Sequence, residues 1–199
     1  GETDSQDFVL TITEENDPPT ADAGISITTD EDTNGGTELT GNDGDSWTSD
    51  VDYQTLSYAI VDSTVHGILT LNEATGSVSY VPDLNYNGVD SFTFRVTDDG
   101  TTDGSPDPLT SASASVSITV NAVNDAPILN TISAQETSEE DDITVTLTAS
   151  DVDIVTNGQS LSFSATSSDE SMVMVSTSLT NDDSTATLTL DVQANANGE

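Results

Sequence analysis

The chain has 199 residues, which sets an expectation of one or two domains, and it carries 37 acidic side chains against a single basic one, Arg95. A formal net charge of −36 excludes nucleic acid as a partner, because phosphate contacts need Lys and Arg, and it argues against anionic membrane surfaces. Self-repulsion of this size implies tightly held counter-ions, divalent cations above all. The absence of Cys and Lys removes disulfides, thiolate metal sites, Schiff-base chemistry and Lys–Asn isopeptide cross-links.

The predicted elements are strands, read from period-two alternation. "DFVLTIT" (7–13) puts Phe8, Leu10 and Ile12 on one face. Turn signals follow at Asn34-Gly35-Gly36, Thr75-Gly76 and Asn87-Gly88. "SFTFRVT" (91–97) turns Phe92, Phe94 and Val96 inward and Arg95 outward, and "SVSITV" (115–120) does the same with Val116, Ile118 and Val120. "DITVTLTAS" (142–150) aligns Ile143, Val145, Leu147 and Ala149. After a turn signal at Asn157-Gly158, "SLSFSA" (160–165) aligns Leu161, Phe163 and Ala165, and "ATLTLDV" (186–192) aligns Ala186, Leu188, Leu190 and Val192. Thr, Ser and Val dominate, as a pleated half-buried surface prefers, and no helical stripe appears. Low hydrophobicity with high charge is also the signature of disorder, but acidic disordered tails do not alternate in this way. The class is all-β. No apolar run approaches the ~18 residues of a membrane span, no signal peptide is visible, and Gly1 reads as a cut end.

The chain repeats itself. "TEENDPPTAD" (13–22) and "NAVNDAPILN" (121–130) share Asn-Asp-X-Pro, and their offset is 124 − 16 = 108. The same offset carries Phe8, Leu10 and Ile12 onto Val116, Ile118 and Val120, Glu31 onto Glu139, and Leu39 onto Leu147. The register then slips by three, so that "QTLSYA" at Gln54 matches "QSLSFS" at Gln159. A unit of roughly a hundred residues built of short strands is the size of one immunoglobulin-like sandwich. Residues 1–15 are expected to be the last strand of a preceding repeat, 16–123 a complete domain, and 124–199 a second domain truncated before its last strands.

The acidic residues cluster with the repeat. Each Asn-Asp-X-Pro box precedes an acidic box, Asp30-Glu31-Asp32 or Glu139-Glu140-Asp141-Asp142. Each domain carries an Asp-X-Asp pair: Asp43/Asp45 by the gapless match, with Asp50/Asp52 as the competing alignment, and Asp151/Asp153. "VTDDG" adds Asp98 and Asp99 at a strand end. Ca²⁺ needs six to eight oxygens, and the continuous loop pattern D-x-[DN]-x-[DN]-G is absent. A domain junction could gather such a set from one domain's end, a linker held extended by proline, and the next domain's start.

"VTDDG…PLTSASASVSITVNAVNDAP" resembles the last two strands and linker of a cadherin domain. "GILTLNEATGSVSYVPDLNYNGVDSFTFRVTDDG" is similar to the bacterial cadherin-like modules found in tandem in giant surface adhesins. The resemblance covers essentially the whole chain, and "YVPDLNYNGVDSFTF" is its most specific part. It implies tandem Greek-key β-sandwiches of immunoglobulin/cadherin type. Carried over by position, the calcium ligands it implies are Glu31 and Glu139 from the acidic boxes, Asn16, Asp17, Asn124 and Asp125 from the linkers, Asp151 and Asp153 from the following domain, and Asp98. Asp43 and Asp45 join them through the repeat. The mid-domain Asp-Arg-Glu of animal cadherins is missing, with Pro82-Asp83-Leu84-Asn85 in its place, and the linker begins Asn121-Ala122-Val123. Fewer or weaker ions per junction follow.

Most of the other acids read as solvated faces. His66 has no second His or Cys to share a transition metal and reads as structural. No G-x-S-x-G elbow occurs, and the carboxylate pairs sit at domain ends, so no enzyme is expected. Tyr58 and Tyr80 are expected in or at the edge of the sandwich, and Trp47, in a polar loop, is the aromatic suited to a sugar. The leading expectation is a calcium-stiffened stalk of a large extracellular or cell-surface adhesin or filament, of bacterial type. Its partners would be neighbouring repeats, self-association into a fibre and a surface glycan, with no membrane insertion. The alternative is a carbohydrate-binding sandwich. Donor-strand exchange, with residues 7–12 of one molecule completing 124–199 of another, is weighed below a simple array, because it leaves the penultimate strand unaccounted for.

Overall fold

The computed structural model describes residues 6, 8–10, 15–44, 54–139, 141–154, 158–179 and 184–194. The chain forms two compact units, Gly1–Val123 and Asn124–Glu199. Its named elements are all β-strands, and no described helix is long and apolar enough to cross a membrane.

The first unit contains β1 (Thr20–Ala21), β2 (Ser26–Asp30), β3 (Gly35–Glu38), β4 (Gly41–Asn42), β5 (Ser57–Asp62), β6 (Gly67–Leu71), β7 (Ser77–Pro82), β8 (Gly88–Thr97), β9 (Thr101–Thr102), β10 (Ser105–Pro106) and β11 (Ala114–Asn121). Two sheets face each other, one ordered β2-β11-β8-β5 and the other β3-β7-β6. β11 alternates buried and exposed residues without a break, so Ala114, Val116, Ile118 and Val120 all point into the core. They meet Phe92, Phe94 and Val96 of β8, with Ile27, Leu39, Val78 and Tyr80 completing the cluster. Burial of such side chains contributes roughly 1.5–3 kcal/mol each. Most neighbours are antiparallel, but β2 runs parallel to β11, from Ser26↔Ser117 to Asp30↔Asn121.

Gly35 and Gly36 do not form the expected turn but begin β3. A Cβ on Gly35 would stand 2.8 Å from Ile27 Cγ2, and one on Gly36 would stand 2.7 Å from the Val78 carbonyl. The glycines serve close approach inside the sandwich. The turn before them is made by Asp32, at φ 57°.

The second unit holds β12 (Ile128–Leu129), β13 (Ile143–Ser150), β14 (Val173–Leu179) and β15 (Thr185–Val192) in one sheet, ordered β12-β13-β15-β14. Its register copies two sheets of the first unit, β1-β4 and β3-β7-β6. Thr20↔Asn42 and Ala21↔Gly41 recur as Ile128↔Ser150 and Leu129↔Ala149, an offset of 128 − 20 = 108. Gly35↔Tyr80 and Thr37↔Val78 recur as Ile143↔Leu190 and Val145↔Leu188, with the second strand offset by 190 − 80 = 110. Leu69↔Tyr80 recurs as Val175↔Leu190. The polar pair repeats as well: Thr40 Oγ1 bonds Asp22 Oδ2 at 2.6 Å, and Asn130 Nδ2 bonds Thr148 Oγ1 at 2.7 Å.

Two expected strands differ. "SLSFSA" keeps its alternating burial but joins no ladder; a bond from Thr177 Oγ1 to the Phe163 carbonyl, 3.2 Å, ties it to β14. Phe8 and Leu10, expected on a strand face, are 85% and 73% exposed and outside any strand. Ile12 lies outside the described residues.

Candidate metal centre

At one end of the first unit, Asn16 and Asp98 come together across 82 residues of sequence. Both are buried, Asp98 to 3% exposure. Asp98 Oδ1 accepts three donors: Asn16 Nδ2 at 3.1 Å, Gly100 N at 3.1 Å and Leu109 N at 2.9 Å. Its other oxygen, Oδ2, is buried and receives no hydrogen bond. Asn16 is fixed on every side. Its backbone N–H donates to Thr102 Oγ1, its Nδ2 also donates to the Asp107 carbonyl at 2.7 Å, and its Oδ1 accepts from Gln54 Nε2 at 2.8 Å. Thr102 in turn donates to Asp107 Oδ2 at 2.8 Å, which ties the β9–β10 hairpin to the same node. A Cβ on Gly100 would fall inside the Asn16 amide. The short loop through Asp43 and Gly44 lies on the linker, with a Cβ on Gly44 3.0 Å from the Asp17 carbonyl. Asp43 is half-buried and Asp17 exposed.

At the other end of that unit, Glu31 is buried and clasps the close of β11. Its Oε1 accepts Val123 N at 2.6 Å, its Oε2 receives Asn87 Nδ2 at 3.5 Å, and its N–H donates to the Asn121 carbonyl. Neighbouring Asp30 accepts Asn121 Nδ2 at 3.0 Å, and Asp32 accepts Asn85 N at 2.9 Å. The acidic box thus ties together the end of β11 and the 83–87 loop, where the Asp-Arg-Glu motif is missing.

In the second unit, Asp153 Oδ2 accepts Asp125 N at 2.6 Å, and Asp151 Oδ1 accepts Asp153 N at 2.9 Å. Asp153 is 1% exposed, and Asn124 Nδ2 caps the Asp125 carbonyl at 2.9 Å. Four of the expected ligands, Asn124, Asp125, Asp151 and Asp153, therefore adjoin one another here. Glu139 is exposed on its turn and does not join them in any of these bonds. Asp45, the competing pair Asp50/Asp52, Trp47 and Glu140 lie outside the described residues. Among the described residues, no three Asp, Glu or His side chains converge into a preformed cage.

Sequence reasoning missed Gln54, Thr102, Asp107, Asn85 and Asn87, whose amides, hydroxyls and carbonyls orient the carboxylates. It also missed Asp90. That side chain accepts Val65 N (3.2 Å), His66 N (2.8 Å), Ser91 N (2.8 Å) and Tyr80 Oη (3.2 Å). Burial pushes its carboxyl up, but the donors from His66, Ser91, Val65 and Tyr80 outweigh it and hold it below the usual range. Tyr80, fully buried, is pushed well above the usual phenol range by burial and by Asp90, and stays a donor to the His66 carbonyl at 2.9 Å. The His66 ring stacks on Tyr86 with centroids 4.2 Å apart.

Several solved structures align with this chain at low identity. The extracellular cadherin domains 1–4 of protocadherin gamma B7 align over 92% of this chain and 43% of theirs, at 15% identity and TM-score 0.47. An endo-fucoidan hydrolase of glycoside hydrolase family 107 aligns over 90% and 25%, at 18% identity and TM-score 0.38. Drosophila N-cadherin EC1–4 aligns over 89% and 42%, at 12% identity and TM-score 0.38. The chain thus spans less than half the length of each. No curated protein matches it. The family model described as bacterial Ig domain matches residues 16–119, just over half the chain, and the chain belongs to that family.

Proposed function

We propose that this chain is a stretch of extender repeats from an extracellular or cell-surface protein, non-enzymatic, whose acidic unit ends bind calcium and stiffen a stalk. One observation carries this reading: Asp98 Oδ2, a carboxylate oxygen buried beside a fixed Asn amide with no hydrogen bond of its own. Burying such a group costs free energy unless a partner compensates it. In a chain of net charge −36 with one basic residue, a cation from solution is the partner that chemistry favours. The donor set is all oxygen, as Ca²⁺ prefers.

Asn16, Asp98, Asp17 and Asp43 would hold the ion in the first unit, and Asp125, Asp151 and Asp153 in the second. Calcium would supply positive charge that cross-links segments far apart in sequence. The chain's own residues prepare for it: Gln54 and Gly100 fix the Asn16 amide, and the Gly100 and Leu109 N–H groups orient Asp98 so that Oδ2 stays available. Neighbouring repeats of the same kind are the natural partners of such a chain.

Titration calorimetry tests this. The wild-type chain is expected to bind calcium, and Asp98→Asn is expected to lose its tightest site with at least a ten-fold drop in affinity. The Asn side chain keeps an oxygen for the Oδ1 donors, so the fold should hold. Identical isotherms for the two proteins would remove the basis of the proposal. Scattering with calcium and with chelator reads the stiffening, and equal maximum dimensions would contradict it.

A further inference from the structure

We propose that the first unit carries a strand-addition site beside the start of β11, fitted to an extended peptide segment of another protein that is apolar in its middle and basic at its ends. β1 pairs with β4, and the chain turns away from that sheet at Gly24, φ 83°, before it enters β2. β2 then pairs with β11 only from Ser26↔Ser117 onward. Before Ser117, β11 keeps β8 on one side, through Ala114↔Phe94, Ser115↔Thr93 and Val116↔Phe92, and has no strand on the other. A groove of about 530 Å³ lies in that place, between residues 19–24 and 112–115.

The backbone defines the shape of the occupant. The Asn121 carbonyl accepts the Glu31 N–H, and the Ser117 N–H donates to the Ile25 carbonyl at 3.4 Å, so every second residue of β11 turns its backbone groups toward β2. Ser115 is next in that series and Ser113, just before the strand, follows it. Among the described residues, no backbone hydrogen bond meets either of them on that side. Open N–H and C=O groups two residues apart are completed by one extended backbone. The walls define its side chains. Ala21, Ala23, Ala112, Ala114 and Pro19 are small and leave room for bulky apolar groups at alternate positions of the incoming strand. A Cβ on Gly24 would meet nothing within 4 Å, so the groove is open at the turn. In a chain with 37 acids none lines the groove, which suits an uncharged middle. The net charge of −36 around it favours Lys or Arg at the ends of the strand and disfavours a second copy of this chain. Strand addition of this type draws affinity from main-chain bonds and specificity from alternate side chains.

The test adds the peptide Lys-Val-Thr-Val-Thr-Val-Lys to the 199-residue chain at physiological ionic strength, where exposed charges are screened, and follows amide hydrogen exchange and NMR shifts. Exchange at the Ser113 and Ser115 amides is expected to slow at least ten-fold at saturation, with shifts confined to residues 19–24 and 111–117. The same peptide with Glu at both ends should bind at least ten-fold more weakly. Ser115→Pro removes the donor that faces the groove, while Ala114 and Val116 keep theirs toward β8. Its melt should hold, and its affinity for the peptide should fall at least ten-fold. Ala23→Trp fills the groove from an exposed position and should give the same loss if the proline variant does not fold. No protection at millimolar peptide, protection confined to another strand edge, equal binding of the Glu-ended peptide, or undiminished binding by the groove-filled variant overturns the inference. Protection already present in the chain alone and rising with its concentration also overturns it, because a second copy would then be the occupant.

Discussion

Asp90 ties the turn before β6 to β8 through four donors, and that makes it the acid-sensitive point of the first unit. Its folded carboxyl titrates below the ordinary 3.8. The stabilisation is therefore present above that value and is lost as pH falls through the lower folded one. Melting measured from pH 5 downward should show an acid-induced loss that Asp90→Asn reduces, and at neutral pH the same substitution should cost about 1–2 kcal/mol. An unchanged acid slope would remove Asp90 from this role. Gly100→Ala is a sharper change, since the new methyl group displaces the Asn16 amide. Loss of calcium affinity with a destabilisation of about 1–3 kcal/mol is expected, read by calorimetry and thermal melting. Asn16 and Glu31 were singled out in the sequence because they recur with the repeat, and Asp98 because it stands at a strand end; Asp90 carries neither signal. The groups that aim them were not singled out: Gln54, Thr102 and Asn87 are ordinary polar residues, and only the folded chain brings them to Asn16, Asp107 and Glu31.

Among the elements, β8 is the one on which the first unit depends, lying between β11 and β5 with Phe92, Phe94 and Val96 fully enclosed. Phe94→Ala should destabilise this unit by about 3–5 kcal/mol, measured by denaturant unfolding. A cost below 1 kcal/mol would mean that the core is packed elsewhere. Alternation read from sequence located β8, β11, β13 and β15, with the expected inward faces in β8 and β11, because a sheet with one buried face writes period two into its strands; β15 does not alternate in burial. It overcounted at "SLSFSA", where the pattern is present and the pairing partner is not. A strand needs a neighbour as well as a pattern. It misread Gly35-Gly36, since a glycine pair looks the same whether a turn or a crowded core requires it.

For the whole molecule, charge dominates the response to solvent. With 37 acids and one Arg, monovalent salt should raise the melting temperature by screening, and calcium should raise it further at far lower concentration. Equal effects of calcium and sodium at matched ionic strength would mean that no specific site exists. Asp125→Ala keeps the backbone N–H that meets Asp153 and removes the carboxylate beside it, and it should lower calcium affinity while leaving the melt of residues 16–123 in place. The parallel pairing of β2 with β11 adds a mechanical property. β2 lies near the start of the first unit and β11 near its end, joined in register over five residue pairs. Tension applied to the two ends of this unit loads that ladder along its length, so its hydrogen bonds must shear together and cannot be peeled one at a time. A unit drawn taut in this way would then yield abruptly and at high force. Single-molecule pulling on the first unit should show one sharp rupture, and Ile27→Pro, which deletes a donor within that ladder, should lower its force.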